Sequence, residues 1–175
     1  GNCAAAGPEQ GTRDHRMKLT AKTDLEAPVE VLHASLADTP GWEREAIRRG
    51  IAVERPADMP VAGIGAGWLI RVPFRGRARR VLLRLDDLVP DRSIAYSFEG
   101  RAMTGTSQFE TKALSPKRSR LRVTLEVKPR TLAARLFLNT LRLARRRVEA
   151  RFEKRLGQLA ARVEERYARE KVMRK

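Results

Sequence analysis

The spacing of apolar residues changes at Pro129, and that change limits the folds that the chain can form. Over residues 17–128 apolar residues mostly alternate with polar ones, most regularly in the run 121–128. After Pro129 they recur every three or four positions as far as Tyr167. Alternation predicts strands with one buried face, whereas the longer period predicts an amphipathic helix. The sequence therefore predicts a sheet followed by a helix.

Turn-forming residues divide the alternating region into separate elements. The first strand is predicted over Met17–Leu25, and Pro28 begins a helix because its missing N–H costs nothing in a first turn. A second short helix is predicted from about Trp42 to Arg49, ending at Gly50. Short gaps separate the later runs, so we expect neighbouring strands to pair as antiparallel hairpins. These later strand runs are 51–53, 68–74, 81–86, 94–98, 103–113 and 121–128.

The last predicted element is one helix from about Leu132 to Arg169, with a short bend near Asn139. Such a helix would be ~57 Å long and could bury its apolar stripe only against the sheet. We therefore predict an α+β fold in which an antiparallel sheet of six or seven strands curves around a long C-terminal helix, with two short helices after the first strand. The predicted stripe consists of Phe137, Leu141, Ala144, Val148, Phe152, Leu156, Leu159, Val163 and Tyr167.

One domain is predicted over residues 17–169, since 175 residues suit a single core. Residues 1–16 show no apolar period and are expected to be a disordered leader, a tag or an overlong start, and residues 170–175 a basic tail. The chain contains no apolar run near the ~18 residues of a membrane-spanning helix. Residues 1–16 also lack a secretory signal, so we expect a cytoplasmic protein.

The chain has few side chains suited to metal binding or to proton transfer near neutral pH. Cys3, His15 and His33 are fewer than the about four ligands that a structural zinc site takes, so we predict no metal and no other cofactor. His33 is the candidate general base of the domain, with Glu30 one turn before it. Because no orienting carboxylate is evident, we assign no catalytic residue and expect a hydrogen-bonded or surface histidine.

Three local patterns follow one another in a definite order. The first pattern is Leu-Glu-Ala-Pro-Val-Glu at 25–30, with Leu-Ala-Asp at 36–38 and Trp42 after it. The second is Gly-Ala-Gly-Trp at 65–68, with a strand that ends in Phe-Arg-Gly at 74–76. The third is Lys-Pro-Arg at 128–130, with Leu136, Leu159 and Glu164 on the following helix. This order resembles the START-like (SRPBCC) superfamily, in its polyketide cyclase/dehydrase and lipid-transport group with the helix-grip fold.

The resemblance implies a cavity for a hydrophobic small molecule or lipid between the sheet and the C-terminal helix. It does not imply catalysis, because most members share no catalytic set. His33 stands where many members carry an aromatic residue, which changes the pocket entrance or wall. We predict that inward-facing residues line this cavity, although the default role of most of the aromatic ones is to fill the core. The predicted lining residues are Trp68, Tyr96, Phe98, Met103, Phe109, Phe137, Leu141 and His33.

Basic residues are concentrated towards the C-terminus. From residue 130 onward fifteen Lys or Arg face five Glu, a net charge of +10 out of +16 for the chain. The arginines of this helix could bind an anionic partner, or could lay their stems along the sheet edge and keep their charges in water. The candidate face for an anionic partner consists of Arg142, Arg146, Arg147, Arg151 and Arg155.

The function expected from the sequence is non-enzymatic binding or transport of a hydrophobic small molecule or lipid. Three alternatives stay open. The chain could be an RNA- or ribosome-associated START-like protein that uses its basic C-terminal helix, although base stacking would need exposed aromatic rings. It could be a polyketide cyclase/dehydrase-type enzyme with His33 as the base. Its basic helix could also lie on an anionic membrane surface.

Overall fold

The computed structural model describes residues 15–74 and 76–174. Within these ranges the chain forms seven strands and four helices. In chain order these elements are β1 (Met17–Leu25), α1 (Val29–Ala37), α2 (Thr39–Arg48), β2 (Ala52–Glu54), β3 (Gly67–Phe74), β4 (Arg77–Val89), β5 (Ser93–Gly100), β6 (Met103–Ser115), β7 (Arg118–Pro129), α3 (Leu132–Leu143) and α4 (Arg145–Met173).

The strands form one antiparallel sheet in the order β1-β7-β6-β5-β4-β3-β2. From β2 to β7 each strand pairs with the next in sequence, and β1 closes the order by pairing with β7. Gly76 and Asp91 take positive φ values of 76° and 59° in the turns of two hairpins. The predicted α+β helix-grip fold, with six or seven strands and two short helices after the first strand, is confirmed.

The prediction of one helix with a bend near Asn139 was wrong in two respects. The helix is interrupted at Ala144, whose φ and ψ of −100° and 24° leave the helical range. The second segment also continues to Met173, four residues beyond Arg169, so most of the predicted basic tail is helical. The interruption lets the two segments lie on different strands, with α3 against β7 and α4 against β1.

The second helix begins three residues earlier than predicted. The Asp38 carboxylate accepts a hydrogen bond of 3.1 Å from the backbone N–H of Gly41, which caps α2. Pro40 occupies the first turn, where a proline needs no hydrogen-bond donor. Asp-Thr-Pro-Gly at 38–41 therefore starts this helix.

The C-terminal helix α4 is fixed to the sheet at its β1 edge. Leu156, Ala160 and Val163 are buried on α4 and pack in one cluster with Leu25 of β1 and Leu121 of β7. Helix α1 contributes to the same cluster and also lies against β5, β6 and β7. The two helices contact each other over one sheet face, and a space stays open between α4 and strands β6 and β7.

The opposite face of the β1–β7 pair carries exposed ion pairs. Asp24 and Arg120 are cross-strand partners with a shortest N–O distance of 2.7 Å. The hydrogen bond from Arg120, together with its charge, holds the pKa of Asp24 below its ordinary value. Arg16, just before β1, forms an ion pair with Glu126 of β7 at 3.3 Å. Because such pairs are solvated they contribute little to stability, but they neutralise part of the excess positive charge.

We predict that the contact of α4 with the sheet supplies a large part of the free energy of unfolding. Leu156→Ala leaves a cavity in the buried cluster and is expected to lower that free energy by about 2–4 kcal/mol. Leu143→Ala removes the same atoms from a side chain that is 93% exposed, so its effect should stay below about 0.5 kcal/mol. Urea unfolding measures both, and equal losses would contradict this account of the docking.

Candidate ligand-binding groove

A groove of about 630 Å³ lies between the sheet and α4 and opens to solvent. Its floor is made by two adjacent cross-strand pairs, Ser107 with Leu125 and Phe109 with Val123, on β6 and β7. Cross-strand partners share a face of the sheet, so all four side chains point towards the helices. The groove falls within the ~300–1,000 Å³ usual for small-molecule sites.

The helix wall of the groove combines an apolar stripe with a polar flank. Phe152, Leu156 and Leu159 recur at helical spacing and face the floor. Arg155 and Arg162 lie beside that stripe and are exposed. The complete set of described lining residues is Arg49, Ser107, Phe109, Val123, Leu125, Phe152, Arg155, Leu156, Gln158, Leu159, Ala161 and Arg162.

The rim of the groove is positively charged. Arg49 reaches it from the end of α2, where Gly50 turns the chain with a φ of 84°. Its Nε lies 3.2 Å from Oε1 of Glu45, so this arginine is paired. Arg155 and Arg162 have no ion pair or hydrogen bond within residues 15–74 and 76–174. Of the described side chains that line the groove, none is a carboxylate.

A chain of aromatic rings leads from the groove into the core. Phe109 contacts Tyr96 with ring centres 6.1 Å apart, Tyr96 contacts Trp68 at 6.5 Å, and Trp68 contacts Trp42 at 5.0 Å. Burial raises the pKa of the Tyr96 hydroxyl, because ionisation there would place a charge away from water. The rings fill the space beneath α1 and α2 with a packed cluster.

Polar contacts fix the indole of Trp68 at the far end of this chain. Its Nε1–H donates a hydrogen bond of 3.3 Å to Oε2 of Glu43. Arg55 lies over the ring, 4.5 Å from its centre, and pairs with the same carboxylate at 3.4 Å. Since the side chain is fully buried and its one donor is satisfied, Trp68 is a well-packed core residue.

The strand residues predicted to line a cavity share one face of the sheet. The strand register places Trp68, Tyr96, Phe98, Met103 and Phe109 on the same side. Three of them form the aromatic chain described above, and Phe109 alone of the eight predicted residues is among the described lining residues of the groove. Cavity lining by the others stays a prediction.

The remaining predicted residues lie in separate places. Met103 and Leu141 pack together around buried Leu138. Phe98 covers Gly105 of the neighbouring strand so closely that a Cβ at Gly105 would collide with its ring. Phe137 of α3 meets Phe74, the last residue of β3, edge to face at 5.2 Å. These residues thus lie in different clusters on one side of the sheet.

His33 differs from its predicted environment. Only 6% of the residue is exposed, and neither ring nitrogen has a hydrogen-bond partner in the described part of the chain. The expectation of a hydrogen-bonded or surface histidine was therefore wrong, because α1 turns this position inward against the sheet. Glu30, one turn earlier, is exposed and forms no pair with it.

The five arginines of the candidate anionic-partner face have different surroundings. Arg155 lines the groove. Arg146, Arg147 and Arg151 are exposed on α4. Arg142 donates a hydrogen bond to the backbone carbonyl just before β1 and thus joins α3 to that strand. Binding of an anionic partner by the whole set stays a prediction.

Most groove residues were on faces that the sequence had assigned correctly. Ser107 shares the inward face of β6 with Phe109, and Phe152, Leu156 and Leu159 belong to the predicted stripe. The missing information was where along α4 the gap to the sheet opens, which depends on the interruption at Ala144. The lining residues that the sequence analysis did not propose as site residues are Arg49, Ser107, Val123, Leu125, Phe152, Leu156, Gln158, Leu159, Ala161 and Arg162.

Metal-ligating groups and membrane-spanning helices are both absent from residues 15–74 and 76–174. No group of three His, Cys, Asp or Glu side chains among them is placed to hold a metal ion. None of their helices combines the length and the apolar character needed to cross a bilayer. Cys3 and the rest of residues 1–14, which include most of the predicted leader, lie outside the described residues.

The sequence profile of the family described as polyketide cyclase/dehydrase and lipid transport matches residues 16–164. The chain belongs to this family. The START-like resemblance inferred from three local patterns is therefore confirmed. A search of curated protein sequences finds no match.

Solved structures share the fold of this family member at low sequence identity. ZhuI aromatase/cyclase from Streptomyces sp. R1128 superposes with a TM-score of 0.61 at 18% identity, over 87% of this chain and 96% of that chain. TTHA0849 from Thermus thermophilus gives 0.61 at 17%, over 84% and 97%. The Mll3558 protein from Rhizobium loti gives 0.58 at 20%, over 83% and 96%. These similarities concern the fold.

We predict that the buried imidazole of His33 destabilises the fold. A buried polar group without a partner costs about 1–3 kcal/mol, so His33→Met, which fills a similar volume with apolar atoms, should raise the free energy of unfolding by about 1 kcal/mol. His33→Gln keeps a buried polar group and should bring no gain. Urea unfolding measures both changes, provided that the slope of the unfolding free energy against urea concentration is the same in all variants. A loss of stability in His33→Met would show that the imidazole has a partner in solution.

Proposed function

We propose that this protein binds a hydrophobic small molecule or lipid in the groove between the sheet and α4. The observation that carries this proposal is an open apolar groove whose floor of Phe109, Val123 and Leu125 faces Phe152 and Leu159 of the helix. An apolar ligand that covered these side chains would gain about 25 cal/mol for each Å² removed from water. The family to which the chain belongs includes lipid-transport proteins, which is consistent with this role.

The groove chemistry favours binding over proton-transfer catalysis. The polar groups among the described lining residues are guanidinium, hydroxyl and amide groups, and none of them is an imidazole or a carboxyl group, the side chains that most often act as general acids and bases. His33, the base of the cyclase hypothesis, is not among them. ZhuI, which has the same fold, is an aromatase/cyclase, so the enzymatic alternative stays as a second outcome of the tests.

RNA binding has less support from the described rings. Single-stranded nucleic acids usually stack their bases on exposed aromatic side chains. Trp68 and Tyr96 are buried, and Trp42 is packed against Trp68. A platform for base stacking would therefore require these rings to leave the core.

Filling the groove should abolish ligand binding without unfolding the protein. The probe is N-phenyl-1-naphthylamine, an uncharged dye whose fluorescence rises in apolar surroundings. Ser107→Trp places a large ring on the groove floor, and we expect the affinity for the dye to fall at least about tenfold. Thr106→Trp puts the same ring on the other face of the same strand and serves as the control.

Urea unfolding confirms that both variants are folded before titration. Equal dye affinity in wild type and Ser107→Trp would place the binding site outside the groove and would reject the proposal. Native mass spectrometry of the purified protein with added lipid extract then identifies bound mass, which the same substitution should remove.

Contact with an anionic membrane surface is a second candidate function, and α3 carries the observation that favours it. Leu132, Leu136 and Leu143 are 70%, 60% and 93% exposed. At 100° per residue these three positions lie within about 40° on the helix surface, so they form one exposed apolar stripe. Exposed Arg135 and Arg146 are close to it in sequence. Leucines beside arginines on a helix fit the boundary of an anionic bilayer.

Vesicle co-sedimentation tests this contact. We expect the protein to sediment with phosphatidylcholine vesicles that contain phosphatidylglycerol, and less with phosphatidylcholine alone. Replacing the three leucines of α3 by Gln should remove at least about three quarters of the bound protein, because the apolar contribution is lost. Val172→Gln with Met173→Gln, at the exposed end of α4, is the control. Unchanged binding of the triple variant would reject a role for α3.

A further inference from the structure

We propose that the ligand of the groove is an anion, in which an apolar body ends in a carboxylate, sulfonate or phosphate group held by Arg155 and Arg162. This inference rests on the proposed ligand binding in the groove and adds the charge class of the ligand. The groove has an apolar floor and a cationic rim, which matches a molecule with the same division. Such a molecule buries its body and leaves its acidic group at the solvent boundary.

The residues at helical spacing from Arg155 include no acidic partner for it. Ion pairs along a helix form at spacings of three or four residues. The neighbours of Arg155 at these spacings are Arg151, Phe152, Gln158 and Leu159, and none is acidic. Arg155 accordingly makes no ion pair or hydrogen bond in the part of the chain that the structure describes.

Arg162 has one acidic neighbour at these spacings, but that neighbour is used elsewhere. Glu165 stands three residues after Arg162 and pairs with Arg169 at 3.8 Å. Other α4 arginines are also paired, as Arg145 is with Glu149 at 2.6 Å. The guanidinium of Arg162 therefore lies at the groove without a counter-charge among the described residues.

The spacing of the two arginines places them along one side of the opening. Seven residues correspond to a rise of ~10.5 Å and to nearly the same angular position on the helix. Gln158 lies between them on the same flank and adds an amide donor. The long side chains of both arginines can turn towards one acidic group from its two sides. Arg49 adds positive charge from the end of α2, although it is shared with Glu45.

Arginine is suited to this role beyond its charge. Its planar guanidinium donates two parallel hydrogen bonds to a carboxylate or phosphate, whereas an ammonium group acts as a point charge. The apolar groove beside it lowers the local dielectric constant, so an ion pair there is stronger than one in open water. Arg147 and Arg151 precede Arg155 at four-residue spacing on the same helix but do not line the groove, and both are exposed to water.

A matched pair of dyes tests the charge class. N-phenyl-1-naphthylamine and 8-anilinonaphthalene-1-sulfonate share one apolar body, and only the second carries an acidic group. We expect Arg155→Gln with Arg162→Gln to lower the affinity for the sulfonate dye about 10–100-fold. The affinity for the uncharged dye should change less than about threefold. The control, Arg147→Gln with Arg151→Gln, removes the same charge from the same helix and should leave both affinities unchanged.

The outcomes separate this inference from the proposed function. If the uncharged dye binds in the groove and the sulfonate dye binds the double variant as tightly as the wild type, the anionic ligand class is rejected while groove binding stands. If neither dye responds to Ser107→Trp, both proposals fail. Equal weakening by the control variant would show a general effect of net charge and would also reject the inference.

Displacement of the sulfonate dye identifies the acidic group. Dodecanoate and dodecyl phosphate present a carboxylate and a phosphate on the same apolar chain, and dodecanol presents neither. We expect one or both acids to displace the dye at concentrations at least about tenfold below that of dodecanol, and the preferred acid assigns the head group. If inorganic phosphate displaced the dye at the same concentration as dodecyl phosphate, the inference that the ligand needs an apolar body would be rejected.

Discussion

The packing of α4 on the β1 edge of the sheet is the contact on which the rest of the structure depends. Leu156, Ala160 and Val163 are buried there together with Leu25 and Leu121, so the helix is held at one side of the sheet face. A helix centred on the sheet would cover β6 and β7 as well. Because α4 is held at the edge, the floor formed by β6 and β7 beside it is left open as a groove.

The open part of the sheet face is smaller than the whole inward surface. Rings from Trp42 to Phe109 fill the region beneath the two short helices, and each touches the next at 5.0–6.5 Å. A second cluster around Leu138 occupies the opposite end, beneath α3. Phe109 therefore belongs both to the packed chain of rings, as its last member, and to the groove floor. A bound ligand would meet the core at this residue.

The positive charge of the chain is distributed unequally between paired and unpaired sites. On the outer face of β1 and β7, carboxylates stand across from arginines such as Arg120, and these pairs are solvated. Along the groove, Arg155 has no carboxylate at helical spacing, and the one such neighbour of Arg162, Glu165, pairs with Arg169. The same residue type thus has two physical states in one molecule. Composition reveals the excess of arginine, but only positions reveal where that excess lies beside an apolar surface.

The sequence by itself determined the order of elements and which side chains point inward, because a period of two or of 3.6 assigns a face through local backbone geometry alone. This was enough to place Trp68, Tyr96 and Phe109 on one face. Only the tertiary structure decided that the first two are core and the third borders a groove. It also decided that Arg155 belongs to that groove and that His33 is buried with no hydrogen-bond partner among the described residues. Those outcomes depend on the interruption at Ala144 and on the strand against which each helix packs, which are long-range choices that no local period records.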